Sequence, residues 1–93
     1  IASSGMDTYP DAMKPLIKSL PRHVPARRMG TEAEVSAAIV FLLSEGAAFV
    51  SGACLRIDGA APNARRHWKL ASNQPSPEFD GFHRSRKPRI FGG

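Results

Sequence analysis

Cysteine is nearly absent from this chain: Cys54 is the single one among 93 residues. No intrachain disulfide can staple the fold, which fits a reducing compartment such as the cytoplasm. Aromatic residues are also scarce, at 8% with one Trp and one Tyr. Long apolar runs are missing, and no stretch approaches the roughly 18 residues that a membrane-crossing helix needs, so a membrane span is not expected. The chain opens at Ile1 rather than Met and shows no basic-then-apolar leader. Neither a natural start nor a secretory signal is therefore read here, and a piece of a longer protein is the favoured reading. A chain this short makes one small domain at most and buries only a modest share of its surface.

Charge of one sign dominates only locally. The net charge is +5, yet up to residue 60 the basic Lys14, Lys18, Arg22, Arg27, Arg28 and Arg56 are matched by Asp7, Asp11, Glu32, Glu34, Glu45 and Asp58. Beyond that, seven basic residues face only Glu78 and Asp80, so the whole excess lies in the tail. The texture changes at the same place. Apolar residues are periodic before residue 60, whereas from Asn73 onward Pro75, Pro77, Pro88, Gly81, Gly92 and Gly93 dominate. A boundary near Pro62 divides the chain into 1–62 and a basic extension, 63–93. The extension is not expected to bury enough surface to fold alone, although Phe79, Phe82 and Phe91 could pin it to a larger surface.

What is present in the first part is a set of helical signals. Met13, Leu16, Ile17 and Leu20 fall on one helical face. Pro15 interrupts that run, which predicts two short helical pieces with Pro15 in a first turn. Pro21 and Pro25 are expected to end it and leave Arg22-His23-Val24 extended. Thr31 followed by Glu34 is the reciprocal capping box, and Glu32 and Glu34 sit where a helix dipole favours negative charge. Val35, Ala38, Ile39, Val40, Phe41, Leu42 and Leu43 then make an apolar stripe wide enough to predict a well-buried helix. Gly46 is expected as its left-handed stop. Residues 53–57 alternate as one short strand, ended by Asp58-Gly59. A lone strand must pair with others, and the chain offers none.

From residue 24 to residue 60 these elements, with the opening Ile1-Ala2-Ser3, resemble the closing segment of the short-chain dehydrogenase/reductase family. Ile1-Ala2-Ser3 is similar to the segment after the sixth strand that holds the nicotinamide carboxamide. Asp7 to Pro25 is similar to the helical lid over the substrate, and Arg28-Met29-Gly30 to an Arg-x-Gly step. Glu34-Val35 and Phe41-Leu42-Leu43-Ser44 resemble the following helix, and Phe49-Val50-Ser51-Gly52 the bend into the last strand. Asp58-Gly59-Ala60 resembles its Asp-Gly-Gly exit, with Ala60 replacing the second glycine. The resemblance implies an α/β doubly wound Rossmann-type fold, of which this chain supplies lid helices, one long helix and the last strand. It implies NAD or NADP as cofactor, with the Ile1 backbone and Ser3 hydroxyl in contact with it, and hydride transfer to or from a small alcohol, carbonyl or enoyl thioester such as an acyl-CoA. It also implies a cytoplasmic homodimer or homotetramer, associating through the 31–44 helix and the last strand. Asn63-Ala64-Arg65-Arg66-His67-Trp68 is similar to extensions in bacterial members acting on terpenoid alcohols or acyl thioesters.

The family's chemistry needs a tyrosine with a lysine four residues later and an orienting serine. Tyr9 is the one tyrosine, and Met13 stands where the lysine would be. No Gly-rich turn for a pyrophosphate is present either. No catalytic residue is assigned, and the chain alone is expected to be inactive. His23, His67 and His83 are too scattered to suggest a metal site. Cys54 reads as a small buried residue on a sheet face, Asp58 as a turn former, and Arg27 and Arg28 as solvated charges, with pairing to acidic groups of a neighbouring subunit as the alternative. Trp68 beside Arg65, Arg66 and Lys69 suits packing against a larger body. The competing class is a small basic protein that binds nucleic acid or another polyanion through residues 83–89, which would make binding strongly salt dependent. Such a module should fold cooperatively alone, whereas a segment with one unpaired strand should not.

Overall fold

Proline placement breaks the first quarter of the chain into short turns. A computed structural model describes residues 1–63, 72–81 and 87–93. The expectations placed on Trp68, His67, His83, Phe82 and most of the basic run lie outside these residues. A 3₁₀ turn at Ser4–Thr8 and another at Asp11–Met13 lead into α1, Lys14–Ser19. Pro15 sits in the first turn of α1, where its missing amide hydrogen is not needed. Pro21 does not stop the run, because it occupies the same kind of position in a further 3₁₀ turn, Leu20–His23. Arg22 and His23 are therefore helical, and of the expected connector Val24 is extended, at φ −102° and ψ 127°.

The long helix α2, Glu32–Leu43, begins on its capping box. Thr31 Oγ1 accepts from the Glu34 amide at 3.1 Å, and Glu34 Oε1 accepts from the Thr31 amide at 2.8 Å. These two bonds satisfy donors that a helix start would otherwise leave open. At the far end Ser44 turns extended and its hydroxyl donates to the Phe41 carbonyl at 2.6 Å. Gly46 is not the left-handed stop; it lies inside a 3₁₀ turn, Glu45–Ala47. Ser44 ends the helix instead, so no positive φ is required there. Left-handed backbone occurs later, at Gly52, Gly59 and Ala60, the last with φ 67°. At Gly59 a Cβ would lie 2.8 Å from Val24 Cγ1, so the turn needs both the glycine's torsion and its lack of a side chain.

Residues 53–57 form no strand. Their backbone groups have no ladder partner among the described residues, where the β-pairing is a single parallel bridge between Ala2 and Thr31. The doubly wound sheet is accordingly not seen in the described residues, which are helices and turns. Strand character depends on a neighbour that supplies the complementary donors and acceptors.

Among the described residues the buried apolar side chains are Ile17, Ala33 and Ala47, joined by Pro88 and the polar Thr31. The α2 stripe, expected to be buried, is not. Ile39, Val40, Phe41 and Leu42 are about half exposed, Leu43 is 82% exposed and Phe49 fully so. The described pieces of the tail lie on the body rather than apart from it. Ser76 N donates to the Ala26 carbonyl at 3.1 Å, and Arg89 N to Asp7 Oδ2 at 3.1 Å.

Candidate functional site

The linker between Val24 and α2 carries the densest polar network, and Arg28 is its centre. Read from sequence as a solvated charge, Arg28 is instead 15% exposed and grips Glu34 by both guanidinium ends, each at 2.6 Å. Its Nε donates to the Ser76 carbonyl at 2.8 Å and to Ser76 Oγ at 3.1 Å, and Nη2 also reaches the Pro77 carbonyl at 2.8 Å. Planar, bidentate geometry is what arginine offers a carboxylate and lysine does not. Arg27, with φ 61°, bonds to Asn73 Oδ1 and the Arg22 carbonyl. Neither arginine behaves as a free surface charge.

The electrostatics follow from this packing. Hydrogen bonding from Arg28 holds the Glu34 carboxyl down at about 2, and the Thr31 amide and hydroxyl add to the effect against partial burial. Glu34 in turn raises the Arg28 guanidinium above its ordinary value. Both groups stay charged across the physiological range, so this pair holds structure and does not shuttle protons.

The network registers the N-terminal strip on the start of α2. Ala2 N donates to the Gly30 carbonyl at 2.7 Å, and Ser4 N lies 3.3 Å from Glu32 Oε1. A Cβ on Gly30 would sit 2.5 Å from Ile1 Cδ1, so a side chain there would displace Ile1. The Arg-x-Gly step thus fastens the helix start with its first residue and admits the strip with its last. Two clefts flank this junction. One, of about 410 Å³, is lined by Ala2, Arg28, Thr31, Asp80 and Phe91 among others. The other, of about 540 Å³, includes Ile1, Gly30, Arg56 and Asp58.

Ile1 and Ser3 stand on either side of the bridged Ala2. Ile1 borders the larger cleft, and the Ser3 hydroxyl does not cap the turn that follows it. Ser3 itself lines neither of these two clefts. Asp58 forms its turn as read, accepting from the Ala60 amide at 2.9 Å. Cys54 is exposed, not buried, because the strand that would have turned it onto a sheet face is absent among the described residues. Tyr9 and Met13 are both exposed, and among the described residues no three His, Cys, Asp or Glu side chains gather. Sequence reading missed Asp7, whose carboxylate receives the amides of Arg89 and Ile90. It also missed Ser76, Pro77 and Phe79 as acceptors for Arg28 and Thr31. No local pattern links such distant positions.

The N-terminal strip, the Arg-x-Gly clamp and the capped helix lie within the part of the chain that known proteins share. The chain belongs to the short-chain dehydrogenase/reductase family: the family model described as enoyl-(acyl carrier protein) reductase matches residues 2–60. Among curated relatives, the 3-oxoacyl-[acyl-carrier-protein] reductase MabA of Mycobacterium tuberculosis is 50% identical over 36 residues, covering 39% of this chain and 15% of that protein. The acetoacetyl-CoA reductase of an Acinetobacter species is 41% identical over 44 residues, 47% of this chain and 18% of that protein. The 2-(S)-hydroxypropyl-CoM dehydrogenase 3 of Xanthobacter autotrophicus is 40% identical over 55 residues, 59% of this chain and 20% of that protein. The chain thus spans between 15% and 20% of the length of these relatives. No solved structure matches it significantly. No helix among the described residues is long and apolar enough to cross a membrane.

Proposed function

We propose that residues 1–62 are the C-terminal part of the Rossmann-type domain of an NAD- or NADP-dependent oxidoreductase, and that residues 63–93 are its extension. The observation that carries this reading is the family match over residues 2–60. The cofactor would supply or accept the hydride. This chain's part would be to hold the carboxamide, with the Ile1 backbone and the Ser3 hydroxyl as its hydrogen-bonding strip. The clamp supports that role physically, since Arg28, Glu34 and the Ala2 bridge fix the strip against a rigid helix start, and preorganised donors and acceptors lose little on binding. Relatives that include a 3-oxoacyl-[acyl-carrier-protein] reductase and an acetoacetyl-CoA reductase favour a carbonyl on an acyl thioester as substrate. Without a Tyr-x-x-x-Lys pair, the chain by itself is expected to be inactive. The exposed apolar end of α2 supports a second copy or a larger body as its cover, in a cytoplasmic homodimer or homotetramer.

Of the described cations in the run read as a polyanion binder, Lys87 is paired and Arg89 is largely exposed. Lys87 lies 3.0 Å from Glu78, and Arg89 lies 3.9 Å from Asp7. The decisive test is reduction of acetoacetyl-CoA by NADH and by NADPH, using the complete reductase with and without Ser3→Ala. The expected result is turnover with one cofactor and a severalfold rise in that cofactor's KM in the variant, as for one lost hydrogen bond. Turnover with an unchanged cofactor KM would remove Ser3 from the site; no reduction of any acyl thioester or simple ketone would remove the activity.

A further inference from the structure

The tail beyond residue 60 lies outside the stretch the family model matches, and its described pieces touch the body at two separate places. One is the clamp. Arg28 holds the carbonyls of Ser76 and Pro77, Thr31 Oγ1 donates to the Phe79 carbonyl at 2.8 Å, and Ser76 N donates to Ala26. The other is Asp7, at the opposite end of the sequence. Its Oδ2 accepts from Arg89 N at 3.1 Å and its Oδ1 from Ile90 N at 3.3 Å.

Those two amides open the 3₁₀ turn Arg89–Phe91. Early helical amides have no partner within their own turn, and an anion placed there satisfies them. Asp7 belongs to the turn Ser4–Thr8, so one carboxylate joins the first turn of the chain to the last. Apolar burial accompanies the polar contact. Pro88, just before the turn, is fully buried, and Ile90 and Phe91 are partly covered. The Arg89–Phe91 turn adjoins both Ser4–Thr8 and α1. The Arg89 side chain itself is 87% exposed and stands 3.9 Å from Asp7, so its ion pair is weak and screened, and the amides carry the contact. Lys87 and Glu78, 3.0 Å apart, tie the two tail pieces together.

We propose that the described tail pieces, residues 73–81 and 87–93, act as an intramolecular strap that fastens Ser4–Thr8 and α1 to the start of α2, with Asp7 as the latch and the Arg28–Thr31 clamp as the anchor. The strap rests on the contacts themselves. Only its consequence, that the strapped elements form a substrate lid whose opening requires release at Asp7, rests on the reductase reading.

Amide hydrogen exchange on the full chain, read by mass spectrometry, tests the strap without cofactor or substrate, so its outcome is independent of that reading. In the unsubstituted chain residues 89–93 are expected to exchange more slowly than an unstructured peptide. Asp7→Ala is expected to speed exchange about tenfold or more in both 4–8 and 89–93 while leaving the first turn of α2 unchanged. Should Asp7→Ala lose the fold, visible as loss of protection in α2, Asp7→Asn must show the same paired effect at smaller size, because the amide keeps one acceptor oxygen. Unprotected 89–93 in the unsubstituted chain overturns the proposal, as does a variant that frees 89–93 with no change in 4–8.

Discussion

The two ends of α2 are stabilised by different physics. At its start a threonine, a glutamate and an arginine satisfy one another within a few residues, and Thr31 and Ala33 are buried there. At its far end five consecutive apolar residues, Ile39 to Leu43, stand about half exposed or more. The first end closes on itself through directional bonds that the local sequence supplies. The second offers apolar area, which stabilises only against another surface. Most helical stability in proteins comes from such packing rather than from propensity, so this helix is anchored at one end and unfinished at the other.

The largest expected effect comes from breaking the anchored end at Arg28. Arg28→Ala leaves the Glu34 carboxylate with the Thr31 amide as its remaining described donor and strips three acceptors on Ser76 and Pro77. A loss of about 2–3 kcal/mol is expected, seen as faster amide exchange in the first turn of α2 and in residues 73–79. The clamp also has a pH signature. The Glu34 carboxyl lies at about 2 in the fold against an ordinary 4.5, so folding depresses it. Its stabilisation is therefore fully present above the unfolded value and lost as pH falls from about 4.5 toward about 2. Glu34→Gln is expected to flatten helix content measured by circular dichroism across that window. A variant that keeps the same acid transition would place its origin in other carboxyls.

Thr31 gives a smaller and sharper test of the same end. Its hydroxyl oxygen accepts from Glu34 N and its hydrogen goes to the Phe79 carbonyl. Thr31→Ala is expected to cost about 1–2 kcal/mol, whereas Thr31→Ser keeps both bonds and stays within about 0.5 kcal/mol. Equal losses in the two variants would mean that the methyl group, packed at this buried position, matters more than the bonds.

The same contrast explains what could be read from the residues alone. Thr31 and Glu34 announced their geometry because a capping box is closed within four positions. Pro15 did so because its restraint is covalent. Pro21 misled because the same ring that ends one helix also opens the next. Gly46 misled because a glycine permits a left-handed turn without requiring one, and Ser44 had already ended α2. The strand at 53–57 and the burial of the apolar stripe were read from alternation and periodicity, which state what a segment needs from a neighbour and not whether the neighbour is there. Arg28 and Asp7 were underrated for the opposite reason. Beyond Glu34, the tail partners of Arg28 lie 48 and 49 residues away and those of Asp7 82 and 83, and no periodicity spans such a distance. The resemblance to a known family reached further than the isolated pattern only in placing the chain, as the match over residues 2–60 bears out; it assigned Arg28 none of the contacts that make the clamp.

The smallest expected effect lies at the unfinished end. Leu43 is 82% exposed, so Leu43→Gln in this chain removes almost no buried area and should change stability by no more than about 0.5 kcal/mol. The substitution becomes informative when α2 has its cover. If the exposed end meets a second subunit, as proposed for the complete reductase, the same change puts a polar amide into an apolar contact and leaves it without a partner, which costs about 1–3 kcal/mol for each copy. Sedimentation of the complete reductase would then show a shift toward smaller species, while amide exchange in α2 of this chain stayed where it was. An unchanged assembly would assign the apolar end to contacts within one subunit. A large loss in the chain itself would show that Leu43 is already covered, and the contrast between the two ends of α2 would not stand.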